Sequence, residues 1–171
     1  MADLVRLPDV AIATLRLRER VLGLPMAGKS VVVGSDRIVA VGPDEWLVIA
    51  DDGDAGVLCD RIGRYRGSVV DSSGNRVCYR VAGDRARWLL SAGCSFDLDR
   101  LKPDDAISTM FARAQVIIVA EAENSFLVLP RRSFASYLKA WAATLDDRAV
   151  ANAGVALCRR AGDHDGSYRI C

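Results

Sequence analysis

The amino-acid sequence predicts an α+β fold with antiparallel sheets. Its strand-like segments are short, they occur in neighbouring pairs joined by short links, and a helix-like segment follows a pair about three times along the chain. Short links favour antiparallel neighbours, because two parallel strands need a crossover of roughly a dozen residues or more. A strictly parallel sheet would need a helix after every strand, and the sequence does not alternate in that way.

Four strands are predicted in the first fifty residues: Val10–Arg18, Val31–Val33, Arg37–Val41 and Trp46–Ala50. In the first of them Leu15 and Leu17 alternate with polar neighbours, which indicates a strand with one buried face. The link Gly42–Glu45 contains Pro43, which suits the second position of a β-turn. The last two strands should therefore form a hairpin.

The middle of the chain predicts two helices around two further strands. The helices are Ala55–Tyr65, with Asp54 as its N-cap, and Asp84–Ala92, which Gly93 ends as the C′ residue. Both have apolar residues at helical spacing. The strands between them are Val69–Asp71 and Val77–Val81.

The last third predicts a connecting region over Phe96–Thr109, strands over Ala114–Ala120 and Phe126–Leu129, and a helix over Phe134–Leu145. Ser133 is the expected cap of that helix. The side chains expected to face the core are Phe134, Tyr137, Leu138, Trp141 and Leu145. From Asp146 onward the pattern weakens, and residues 146–171 are expected to be a partly disordered tail.

Composition places the chain among folded proteins and excludes several partners. Of its 171 residues, 51% are hydrophobic and 26% charged, and the net charge of +1 implies no strong attraction to nucleic acid or to a membrane surface. Its five cysteines form no Cys-x-x-Cys pair, which favours reduced thiols in a cytoplasmic protein. We see no signal peptide and no apolar run of about 18 residues that would span a membrane.

The stretch GLPMAGKS, Gly23–Ser30, fits the pattern of a nucleotide-binding P-loop. A P-loop lysine must begin a helix, whose N-terminus and loop N–H groups hold the phosphates. Here Val31–Val33 follows, and three β-branched residues favour a strand. We therefore treat nucleotide binding as a minor alternative that a strand at Val31 would exclude.

The residues that could carry chemistry do not assemble into a site in the sequence. His164 is the single histidine and falls in the predicted tail, so no Ser-His-Asp or Cys-His arrangement is available in the body of the chain. The paired acids Asp44–Glu45, Asp51–Asp52 and Asp104–Asp105 are typical of solvated turns. Arg131–Arg132 either contacts a carboxylate on a partner or lies in solvent. We assign no catalytic, cofactor-binding or metal-ligating residue.

Four stretches of the chain together resemble the gamma subunit of heterotetrameric sarcosine oxidase. They are Val41–Ala50, similar to that family's GPDEWLL hairpin; Val69–Arg76, similar to its VDVSD segment; Val81–Leu98, similar to its LSGPRARDVLAKGCPLDL segment; and Pro130–Trp141, similar to its RRSFAxYLxxWL helix. The resemblance covers roughly Leu7–Leu145. It places GLPMAGKS in a loop before the hairpin and makes Lys29 a surface residue.

The family in turn resembles the folate-binding fold of the glycine-cleavage T protein, an aminomethyltransferase. The resemblance implies two ferredoxin-like halves with antiparallel sheets, here residues 1–145 with a division near 66–68 or 93–112. In the T protein a Gly-Gly pair followed by an acidic pair carries the catalytic Asp. At the corresponding place this chain has Ala112–Val119, with neither feature. The resemblance thus argues against aminomethyl transfer by this chain.

What the resemblance implies is a non-catalytic subunit in one-carbon metabolism and sarcosine catabolism. The complex would oxidatively demethylate sarcosine to glycine, forming hydrogen peroxide and methylene-tetrahydrofolate. FAD, FMN and NAD would lie on the alpha and beta subunits and zinc on delta, and none on this chain. Alpha, beta and delta would be its partners, with alpha in direct contact. A stand-alone folate-binding or one-carbon-transfer protein of the same fold is the alternative.

Overall fold

The protein consists of two five-stranded antiparallel sheets and a small number of helices. It is seen in a computed structural model that describes residues 4–8, 10–18, 21, 23–51 and 53–145. The α+β class and the antiparallel pairing predicted from the sequence are confirmed. The predicted tail, with His164, Cys158 and Cys171, lies outside the described residues.

The first sheet has the strand order β3-β4-β5-β2-β6. Its strands are β2 (Ala11–Arg16), β3 (Ser30–Val33), β4 (Asp36–Ala40), β5 (Glu45–Ala50) and β6 (Ser68–Asp71). The β4–β5 hairpin predicted from Pro43 is present, with Ala40 opposite Trp46. Helix α1 (Ala55–Gly63) covers one face of this sheet. Asp54 is its N-cap, as predicted, and accepts a hydrogen bond from the Val57 N–H.

The second sheet has the strand order β1-β7-β10-β9-β8. Its strands are β1 (Val5–Arg6), β7 (Tyr79–Ala82), β8 (Ala106–Phe111), β9 (Ala114–Ala122) and β10 (Ser125–Pro130). Helix α2 (Ala86–Ser91) and a third helix over residues 135–145, called α3, lie on its outer face. Short 3-10 turns occur at Leu98–Arg100 and Arg132–Phe134.

The layers pack in the order helix, sheet, sheet, helices. Between the two sheets lies an apolar layer of ten buried residues: Ile12, Val39, Leu47, Ile49, Cys78, Ala106, Ile117, Val119, Leu127 and Leu129. A second buried cluster joins the first sheet to α1, and a third joins the second sheet to α2 and α3. Alternation along the strands explains this arrangement, because successive side chains point to opposite faces of a sheet.

Three details of the sequence prediction are wrong. The predicted strands Val69–Asp71 and Val77–Val81 do not pair with each other: β6 is the edge of the first sheet, and β7 belongs to the second. The connecting region predicted over Phe96–Thr109 contains most of β8. The short strand β1 was not predicted at all.

The start of the last helix also differs from the prediction. Ser133 lies inside the 3-10 turn Arg132–Phe134, before the α-helical residues. Leu138 is fully buried, and Trp141 and Leu145 pack against the core as predicted. Phe134 and Tyr137 are instead 40% and 43% exposed. Phe134 ends the 3-10 turn, and Tyr137 lies in the first turn of α3.

Candidate interaction surface

The described residues carry no evident catalytic or metal-binding constellation. Within them no group of three or more His, Cys, Asp or Glu side chains is placed to hold a metal ion. The acid pairs singled out in the sequence instead make structural contacts. Glu45 pairs with Arg16 at 2.6 Å, and Asp104 pairs with Arg37 at 3.1 Å. Asp51 is exposed at the end of β5.

The P-loop-like stretch is a loop that enters a strand. Ser30–Val33 forms β3, so no helix begins at Lys29. A strand at Val31 was the observation expected to exclude nucleotide binding, and it is present. The loop is held from both sides. The Pro25 carbonyl accepts a hydrogen bond of 3.0 Å from the indole N–H of Trp46. Gly28 has φ +80°, in the left-handed region that favours glycine.

This loop joins the two sheets at one edge. The Ser30 N–H donates to the Asp104 carbonyl at 2.7 Å, and the Ala106 N–H donates to the Gly28 carbonyl at 2.9 Å. Lys29 Nζ lies 2.5 Å from Asp105 Oδ1. The hydrogen bond from Lys29, together with one from the Lys102 N–H, lowers the pKa of the Asp105 carboxyl. The stretch therefore acts in structure and not in phosphate binding.

An open cleft of about 280 Å³ lies beside this junction. It is lined mainly by small and apolar residues of the loop and of β4, β8 and β9, among them Gly28, Val41, Phe96, Ser108 and Ile117. A second open cleft, of about 790 Å³, lies at the start of β6 and is lined by residues that include Arg16 and Tyr65.

Two of the stretches singled out in the sequence meet in the structure. The loop after β6 contacts the arginine pair that follows β10. Arg132 donates from Nε to the Gly74 carbonyl and from Nη2 to the Ser73 carbonyl, each at 2.9 Å. The Arg132 N–H donates to the Asn75 carbonyl at 2.8 Å. Arg131–Arg132 is therefore held against the loop and is not a freely moving pair.

The same loop is itself rigidly held. The Ser73 N–H donates to Asp71 Oδ1 at 2.9 Å, and this bond, with one from the Ser73 hydroxyl, lowers the pKa of the Asp71 carboxyl. The Ser72 N–H donates to the Ile12 carbonyl of β2 at 2.7 Å. The Ser72 hydroxyl lies 2.7 Å from that of Thr14.

Arg76 lies beside this pair through its bridge to Arg131, and Arg76, Arg131 and Arg132 are called here the arginine cluster. Arg76 and Arg131 form an isolated β-bridge, and Arg76 Nη1 donates to the Leu129 carbonyl at 3.0 Å. Burial lowers the pKa of the Arg76 guanidinium, and the positive charge of Arg131 lowers it further, while Glu45 acts in the opposite direction. The cluster thus combines one partly buried arginine, Arg76, with two exposed ones, Arg131 and Arg132.

The three described cysteines are free thiols. Cys78 and Cys94 are buried, and Cys59 is partly buried. Burial raises the pKa of the Cys78 thiol to about 12, so this group is an inert part of the core. Burial also raises the pKa of Cys59, with smaller effects from Asp71 and Asp60. Neither Cys59 nor Cys78 thus has the lowered pKa of a reactive cysteine.

Sequence reasoning missed most of the contacts that build this surface. The junction of Lys29 with Asp105 and the seating of Arg132 on Ser73 and Gly74 join residues more than fifty positions apart, and no local pattern indicates them. One signal was present for β8. In Ala106–Phe111 the residues Ile107, Thr109 and Phe111 alternate with their neighbours, which is typical of a strand.

Comparison with known proteins gives a consistent result. Residues 7–149 match the family described as "Sarcosine oxidase, gamma subunit family". Curated relatives named "Sarcosine oxidase subunit gamma" include those of Corynebacterium sp. (strain U-96), 32% identical over 126 residues, of Arthrobacter sp, 33% over 125, and of Corynebacterium sp. (strain P-1), 36% over 126. Each alignment covers 70% of this chain and 62% of the relative. The chain thus spans less than two thirds of these relatives' length.

A solved structure agrees with the sequence comparison. A chain of the heterotetrameric sarcosine oxidase from Corynebacterium sp. U-96, in complex with pyrrole 2-carboxylate, matches with a TM-score of 0.72 and 26% identity. The match covers 82% of this chain and 81% of that chain. Among the described residues, no helix has both the length and the apolar character needed to cross a membrane.

Proposed function

Because the chain belongs to the sarcosine oxidase gamma subunit family, we propose that it is a gamma-type subunit of a heterotetrameric oxidase complex. The observation that carries this proposal is the family match over residues 7–149, which extends through both sheets. The contact between Val69–Arg76 and Pro130–Trp141 supports it, because two stretches recognised separately in the sequence form one surface.

The proposed activity belongs to the complex. It is the oxidative demethylation of sarcosine to glycine, with formation of hydrogen peroxide and methylene-tetrahydrofolate. We propose that FAD, FMN and NAD bind to other subunits. This chain has a structural role beside the alpha subunit, and the complex is located in the cytoplasm. The relation to the folate-binding fold of the glycine-cleavage T protein, with two ferredoxin-like subdomains, is part of the same proposal.

The exposed side chains of the chain suit a subunit that is covered by others. Among the described residues, large apolar side chains with more than a third of their surface exposed occur on both sheets, on the helices and in the loops: Val5, Met26, Val32, Val33, Val57, Val70, Trp88, Phe96, Met110, Phe134 and Tyr137. Apolar surface of this kind, when it is contiguous, marks protein–protein contacts.

The proposal is tested by isolating the full chain with a tag from cells that produce it. We expect it to bring with it two larger flavin-bearing subunits and one small one, as a yellow complex that oxidises sarcosine. A colourless chain recovered alone would contradict the proposal. In that case titration with tetrahydrofolate would test the stand-alone folate-binding alternative.

A further inference from the structure

We infer that the arginine cluster, Arg76, Arg131 and Arg132, with the neighbouring Phe134, docks an acidic segment of a partner subunit. The inference rests on the proposed function, since it assumes that the chain is part of a complex. It adds the surface that is used and the chemistry of the segment that the surface recognises.

The charge of the cluster is not balanced within the part of the chain that the structure describes. There, no carboxylate lies within 4.0 Å of a guanidinium nitrogen of the three residues, whereas five other arginines each have such a partner: Arg16, Arg37, Arg61, Arg80 and Arg87. Glu45 is the acid whose charge acts on Arg76, and it is already paired with Arg16 at 2.6 Å. The like charges of Arg76 and Arg131 repel each other, and carboxylates from another chain would offset this repulsion.

The cluster is also held in position before any partner arrives. Two of the five guanidinium N–H donors of Arg132 bind the carbonyls of Ser73 and Gly74, which leaves Nη1 for a ligand. Arg76 uses Nη1 on the Leu129 carbonyl and keeps its remaining donors. Planar groups fixed in this way match the two oxygens of a carboxylate, and they lose little side-chain entropy on binding.

Aromatic side chains border the cluster on the side of α3. Phe134 is two residues beyond Arg132 in the sequence, and its side chain is 40% exposed. Tyr137, one turn further on, is 43% exposed, and its hydroxyl donates to the Ala112 carbonyl at 2.8 Å. Arginine and aromatic residues are the ones most enriched at the energetic centre of protein–protein interfaces. The composition therefore favours a protein segment over a small anion.

A nucleic acid or membrane surface fits less well. These partners select broad basic surfaces, and the net charge of the whole chain is +1. A local cluster in a nearly neutral chain is instead suited to a short segment with a few carboxylates. Charge complementarity between the cluster and such a segment would increase the specificity, the association rate and the affinity of the contact.

Zero-length cross-linking of the assembled complex tests the inference directly. Arg131→Lys keeps the positive charge and introduces a primary amine, which a carbodiimide couples to an adjacent carboxylate as an amide. We expect mass spectrometry to find this position linked to an Asp or Glu of another subunit. Lys29 and Asp105, 2.5 Å apart, form an internal positive control in every sample. Arg64→Lys, an exposed arginine at the end of α1, is the matched control variant.

Charge reversal gives the second measurement. Arg131→Glu should weaken association of the chain with the other subunits at least about tenfold, and raised salt should weaken the wild-type association as well. Arg64→Glu should leave it within about twofold of wild type. Among the described residues, the Arg131 side chain has one hydrogen bond, at 3.4 Å to Asn75 Oδ1, and the substitution keeps the backbone bonds, so we expect the fold to stay intact.

The outcomes separate the two proposals. Suppose that the complex assembles and the Lys29–Asp105 link forms, but position 131 gives no link and Arg131→Glu has no effect. This result would overturn the docking inference and leave the proposed subunit function standing. A wild-type chain that joins no flavin-bearing subunits would overturn both.

Discussion

Lys29 Nζ lies 2.5 Å from Asp105 Oδ1, and this ion pair connects the edge strands β3 and β8 of two different sheets. The lysine belongs to a stretch with the sequence pattern of a phosphate-binding loop. In the structure its charge is directed at a carboxylate of the same chain. The backbone bonds beside it, from Ser30 to Asp104 and from Ala106 to Gly28, complete the junction.

Lys29→Met tests the structural role of this stretch. The Lys29 side chain is 57% exposed, so loss of the ion pair should lower the free energy of unfolding by no more than about 1 kcal/mol. Urea denaturation measures this change. Calorimetric titration with ATP or GTP and magnesium should give no binding for either protein. Binding to the wild type that Lys29→Met abolishes would restore the nucleotide hypothesis.

The ion pair between Asp36 and Arg61 should contribute more to stability than any exposed pair. Asp36 is 7% exposed and accepts from Arg61 Nε at 2.8 Å and from Nη2 at 2.7 Å, which fixes β4 to α1. Asp36→Ala should cost about 2–4 kcal/mol, because it leaves a partly buried guanidinium without its carboxylate.

The matched control for that change is Glu45→Ala. Glu45 also pairs with an arginine, Arg16, but the Arg16 side chain is 62% exposed and stays in contact with water when the carboxylate is removed. We expect a cost of at most about 1 kcal/mol in the same urea denaturation. Equal effects of the two substitutions would contradict the importance assigned to burial.

Gly93 is required by close packing. A Cβ at this position would lie 2.6 Å from Trp141 and 2.9 Å from Phe111, two rings that meet edge to face with centroids 5.1 Å apart. Gly93→Ala should destabilise the fold by about 1–3 kcal/mol. Gly63→Ala, where nothing lies within 4 Å, should be neutral or stabilising by up to about 1 kcal/mol. Thermal unfolding that shows no difference between the two would refute this packing.

The buried thiol of Cys78 should make stability fall at high pH. Its pKa is raised to about 12 in the folded protein, against about 8.5 in an unfolded chain. The unfolded state therefore loses this proton first, and the stabilisation present below about pH 8.5 is lost as pH rises toward 12. Cys78→Ala should show a shallower decline between pH 8 and pH 10.5. Parallel curves would show that the thiol is accessible to solvent.

Local patterns in the sequence were sufficient to predict most secondary structure. Alternation in Val10–Arg18, the Pro43 turn and the Asp54 cap each reflect forces between close neighbours, and the strand, the hairpin and the cap are confirmed. The single buried face predicted for that strand is wrong, because Ile12 packs between the two sheets while Leu15 packs in the cluster with α1. The exclusion of a P-loop at Lys29 also followed from three consecutive β-branched residues, which form β3.

The pairing of strands could not be predicted in the same way. Val69–Asp71 and Val77–Val81 are separated by a short turn-like link, yet the chain uses that link to pass from one sheet to the other. The packing of apolar residues between the sheets favours this crossing, and it involves residues distant in sequence. The arginine cluster forms at the same crossing. The contacts of Arg131–Arg132 could therefore not be predicted from the residues next to them in the sequence. The division of residues 1–145 into two subdomains stays a prediction.

The measurement that tests the central claim most directly is the isolation of the full tagged chain from cells that produce it, followed by an absorbance spectrum and a sarcosine oxidation assay. The account predicts a yellow complex of this chain with two larger flavin-bearing subunits and one small subunit, which oxidises sarcosine and reduces oxygen to hydrogen peroxide. A colourless single chain without this activity would contradict it.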